Sequence, residues 1–126
     1  MSTLRLTTIS NQSGSSSVPA DTVISGSAKA WVNFNGTGTV AIRASFNVSS
    51  ITDNGTGDYT TNFTVAMVDS SYSTQLTSSG PTLTGGGNTF LTTSGAAPTV
   101  STTRFTCRND AATLVDVEAA YVAIFR

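Results

Sequence analysis

Between residues 28 and 65 apolar and polar side chains alternate with a period of two, and glycine turns interrupt the alternation. That period places successive side chains on opposite faces of a strand. Residues 30–34 predict one strand, with Val32 and Phe34 on one face and Trp31 and Asn33 on the other. The turn Asn35-Gly36-Thr37-Gly38 follows, and Asn-Gly suits the positive φ of a type I′ hairpin. Residues 40–48 carry the cleanest alternation: Val40, Ile42, Ala44, Phe46 and Val48 against Ala41, Arg43, Ser45 and Asn47. A second turn, Asp53-Asn54-Gly55-Thr56-Gly57-Asp58, leads to Tyr59, Thr61, Phe63 and Val65 on one face of a further strand, which closes a second hairpin.

Outside this stretch the pattern is thinner. Residues 4–9 read as a short strand, 10–19 as a linker and 18–24 as another extended piece, so residues 1–27 are expected to form an arm ahead of a domain over 28–126. Residues 70–76 carry Tyr72 on a further strand. Residues 77–100, rich in Gly, Ser and Thr around Gly85-Gly86-Gly87-Asn88, read as long loops with one or two short strands. Residues 102–108 place Phe105 and Cys107 on one face. The closing stretch, 114–125, fits helical spacing through Leu114, Glu118, Tyr121 and Phe125, and strand spacing through Val115, Val117, Tyr121 and Phe125. Its β-branched and aromatic content favours the strand. The expected fold is all-β: an antiparallel β-sandwich or jelly-roll-like domain with an extended N-terminal arm.

Composition narrows the function. Charged residues are 10% of 126, less than half the usual share, and the net charge is −1. About a third of the chain is Ser or Thr, yet ordinary hydrophobicity argues against disorder. Arg5, Lys29, Arg43, Arg104, Arg108 and Arg126 are scattered, so nothing groups cations as phosphate binding requires, and no nucleic-acid partner is expected. No apolar run reaches bilayer length, so no membrane insertion is expected. The opening residues lack the apolar segment of a signal peptide, and synthesis without export by that route is expected.

Candidate chemistry is sparse. There is no histidine, so Cys107 lacks the base a nucleophilic thiol uses. Cys107 is expected either to fill a strand as a small apolar side chain or to form an intermolecular disulfide. Asp53, Asn54 and Asp58 surround a glycine turn without the terminal Glu of a calcium loop, and turn chemistry accounts for them. The glycine-rich stretches match no phosphate-binding pattern. Seven carboxylates are present, but no pair stands out for glycoside hydrolysis. No catalytic residue, metal or cofactor is expected. Trp31, Phe34, Phe46 and Phe63 are expected to anchor the core or a subunit interface, with sugar stacking as the other reading of Trp31.

Several stretches resemble a short β-domain that recurs in virion proteins of tailed bacteriophages infecting aquatic bacteria, cyanobacteria included. They are AWVNFNGTGT at 30–39, IR at 42–43 and NVSSITDNGTGDY at 47–59. Shorter echoes are AMVDSSY at 66–72, where the family often has Pro in place of Val68, VAIFR at 122–126 and the opening MSTL. The likeness covers about a third of the chain. It implies a non-enzymatic virion structural protein, described in that family as a tail fibre or fibre-like component, and it carries no catalytic or ligand residue with it. An oligomer is expected, because many apolar positions are small and an oligomer covers strand edges; that it is a homotrimer is what the resemblance implies, since phage fibres and head decorations are commonly threefold. In the tail-fibre reading the arm anchors to the baseplate or tail and polar loops face the host surface, possible glycans included, with Tyr72, Gln75, Asn88 and Phe90 as candidate contacts. In the alternative, a trimeric capsid cement or decoration protein, the arm lies along the head shell and meets the major capsid protein. Either way the expected location is the virion, after synthesis in the host cytoplasm.

Overall fold

Two antiparallel sheets face each other across one apolar layer. The computed structural model describes residues 2–80 and 96–126 in full and the backbone of 90–93. Among them the strands are β1 (Thr8–Ser10), β2 (Ser17–Pro19), β3 (Ala28–Asn35), β4 (Ala41–Phe46), β5 (Val48–Gly55), β6 (Asp58–Phe63), β7 (Ser73–Ser78), β8 (Phe90–Thr93), β9 (Thr102–Arg108) and β10 (Ala120–Phe125), with one helix, α1 (Ala20–Gly26). One sheet has the order β4-β3-β10-β7 and the other β5-β6-β9-β8. The expected all-β class is therefore found, and in its sandwich form.

Alternation builds the core as the sequence leads one to expect. In β3, Ala30, Val32 and Phe34 are buried while Trp31 points outward. In β6, Tyr59, Thr61 and Phe63 are buried, and in β9 Thr103, Phe105 and Cys107. Val65, expected to continue the β6 face, lies beyond the strand and is exposed. The rings of Phe34 and Tyr59 meet edge to face at 5.2 Å, and those of Phe63 and Tyr72 at 5.7 Å. Such pairs add about 1 kcal/mol each to their burial. The closing stretch is a strand from Ala120 onward. Its inward residues are Ala120, Val122 and Ile124, so Tyr121 faces out.

Three expectations are corrected. The alternating run over 40–48 is two strands in different sheets. A bulge opposite Asn33 and Phe34 puts Ile42 in register with Phe34 but Phe46 with Trp31, which moves the two apolar residues to opposite faces. Asn47, at φ 54°, then turns the chain into the second sheet. Its Oδ1 accepts from the Val65 amide at 2.7 Å, and its Nδ2 donates to the carbonyls of Lys29 at 3.0 Å and Val65 at 3.1 Å. Asparagine tolerates this left-handed conformation better than other side chains.

The first turn is also wider than a two-residue type I′ connection. The Asn35 side chain folds over it, accepting from the Thr37 amide and hydroxyl and donating to the Thr37 carbonyl. Gly38 holds the positive φ there. Gly36 is needed for space: a Cβ would sit 2.6 Å from the Tyr59 hydroxyl. The second turn is the tight one, with Gly55 in register with Asp58.

The third correction concerns the arm, which is folded locally and not simply extended. A strand is absent over 4–7; instead β1 pairs with β2, the 10–19 linker supplies β2, and residues 20–26 are helical. None of residues 2–27 is buried. Leu4, Leu6, Ile9, Val23 and Ile24 remain exposed, Leu4 by 82%, and with Arg5 and Ala20 they line one shallow depression.

Candidate functional site

The outer face of the β4-β3-β10-β7 sheet carries an open groove of about 370 Å³. Register shows how it arises. Trp31 on β3 stands opposite Ala123 on β10, and Ala123 stands opposite Gln75 on β7. One pair further along, Asn33 stands opposite Tyr121, and Tyr121 opposite Thr77. Paired residues share a face, so Trp31 and Tyr121 are diagonal neighbours across the β3–β10 ladder, with small Ala123 leaving room between them. Trp31 is 40% exposed and Tyr121 42%. Among the described residues, those lining the groove are uncharged. The Asn33 Oδ1 is closed off and lacks a hydrogen-bond partner among the described residues.

A second polar constellation lies inside the sandwich. The Tyr59 hydroxyl is 2.8 Å from the Gly36 carbonyl and 2.8 Å from the Asp116 carboxylate, which also accepts from the Gly57 amide at 2.7 Å. Burial, reinforced by the Asp116 carboxylate, pushes the Tyr59 hydroxyl well above its ordinary pKa. A phenol held protonated in this way is a strut between the two hairpin turns and the 111–119 segment. Nearby, Arg104 and Asp58 form a two-bond ion pair at 2.8 and 2.6 Å, and that guanidinium holds the Asp58 carboxyl below its usual value. Among the described residues no group of three or more His, Cys, Asp or Glu is set to hold a metal ion.

The residues singled out from sequence scatter. Phe34 and Phe63 are core anchors. Trp31 and Phe46 are exposed on the outer face, in register with each other. Tyr72 is corrected from loop contact to core: it is buried, and its hydroxyl bonds the carbonyls of Thr99 and Thr102. Gln75 is exposed, but on strand β7 and beside the groove. Asn88 lies outside the described residues, and Phe90 is described only as backbone in β8. Cys107 is 0% exposed and unpaired. A sulfur so enclosed cannot meet one on another copy without opening the sandwich, so the apolar-filler reading replaces the intermolecular disulfide.

Alternation along β3 puts Asn33 on the face of Trp31, but sequence reasoning misses Tyr121 as their cross-strand neighbour. The phase of the last strand would have found Tyr121, since Ala120, Val122 and Ile124 alternate with it; the competing phase through Val115 and Val117 masked that signal. No protein-family model, curated protein or solved structure matches the chain.

Proposed function

We propose that the protein is a non-enzymatic structural subunit of a tailed-bacteriophage particle, a short homotrimeric tail fibre that contacts the host surface. The observation that carries this is the arm. Five large apolar side chains on residues 4–24 are exposed among the described residues, and such a patch on a small protein marks a contact site. The arm docks this patch on another virion protein of the baseplate or tail. A second exposed apolar cluster, Phe46, Val65 and Val68, flanks Asn47 where the chain crosses between sheets, and it is the surface assigned to contact between copies.

The resemblance at residues 30–59 supports the particle assignment, and the absence of a histidine supports a role in contact over catalysis. The alternative of a capsid cement protein uses the same arm against the head shell. Copy number separates them. On a stained gel of purified particles, quantified against the major capsid band, the fibre reading gives tens of copies or fewer. Hundreds of copies would transfer the protein to the head, and its absence from particles would overturn the assignment.

A further inference from the structure

We infer that the groove between Trp31 and Tyr121 binds a neutral oligosaccharide, a run of uncharged sugar rings laid across the β3–β10 ladder. The inference gives the host-contact role a ligand class, and it rests on that reading only for the source of the sugar.

Aromatic side chains on a pleated sheet are held rigid by the strands beneath, so an exposed pair forms a contact platform at little entropic cost. Trp31 and Tyr121 are diagonal across one ladder, which puts their Cα atoms roughly 7–8 Å apart. Sugar rings present C–H faces that stack on such rings and hydroxyl rims that need donors and acceptors. The rim here is polar: Thr77 and Gln75 lie along β7, and Asn33 stands beside both aromatics.

Charge and size choose the occupant. Among the described residues the lining is uncharged, so an acidic glycan or a charged peptide finds no counter-ion there, whereas a neutral sugar needs none. A volume of about 370 Å³ is within the range of small-ligand sites. A second copy of the chain would need roughly 1,200–2,000 Å² of closely packed surface in total, and a narrow groove with an amide and hydroxyl rim is poorly made for a dry core of that extent.

Trp31 is the sole tryptophan, so its emission reports the groove directly. The full chain is titrated with neutral hexopyranose oligosaccharides of four to eight units, with a sialylated oligosaccharide as the acidic comparison. The expected result is a saturable change in Trp31 emission with at least one neutral series and none with the acidic one. Tyr121→Ala should weaken binding at least tenfold at an unchanged melting temperature, and Ser50→Ala on the opposite sheet should leave it as in the parent. Immobilised-sugar retention of Trp31→Ala, expected to be lost, checks the platform without the fluorophore. The absence of any response in the parent protein overturns the inference, as does binding that survives Tyr121→Ala. An oligomer that comes apart on Trp31→Ala also overturns it, because the groove is then a subunit contact. None of these outcomes alters the copy-number result, which tests the particle assignment by itself.

Discussion

Asn47 shows how much of this fold rests on single side chains. It holds a left-handed backbone at the crossing between sheets and ties Val65 and Lys29 through its amide. Replacing it by alanine removes those bonds and leaves a Cβ residue in a conformation that asparagine tolerates. Asn47→Ala should lower unfolding free energy by about 2–3 kcal/mol in urea titration, and Asn47→Gly should restore the conformational part only. Cys107 gives a second test. Burial first, then the Asp116 carboxylate, pushes its thiol up to about 12. A raised acid pKa favours the fold below the free-thiol value, near 8.5, and that contribution fades as pH climbs toward 12. Iodoacetamide at pH 8.5 should therefore label native protein far more slowly than urea-unfolded protein. Equal rates would place the sulfur at the surface.

At the scale of elements, the β6–β9 ladder joins Thr61 to Thr103 in register, and both hydroxyls are buried without partners among the described residues. Valine has the same shape without the unmet polar group. Thr61→Val with Thr103→Val should stabilise the protein by about 1–2 kcal/mol, read from the same urea midpoints; a loss would mean that those hydroxyls are satisfied in solution. Period-two alternation made β3, β6 and β9 legible with their buried faces, because each lies inside its sheet with one face on the core. The same rule misplaced β4. That edge strand buries none of its residues, so burial does not fix its phase, and a bulge and an asparagine corner are invisible to a hydrophobic count. The helix over 20–26 was hidden for a related reason: seven residues with no buried side chain leave no periodic stripe to read. Of the groove, Trp31 and Gln75 were singled out from sequence; their neighbourhood depends on β10 lying between β3 and β7, which is a matter of tertiary pairing and not of local pattern.

The whole molecule combines a well-packed sandwich with an arm that has no core of its own. Its internal polar groups are spent on holding turns and corners, as at Tyr59, Asp116 and Asn47, while its unspent apolar groups lie outside. That division suits a part made to be built into something larger. The most direct test is the mass of the purified 12.9 kDa chain at micromolar concentration, by sedimentation equilibrium. Three chains per particle, falling to one when Val65 and Val68 are both changed to serine, is the predicted result. A parent protein that sediments as a single chain across the micromolar range would contradict the account.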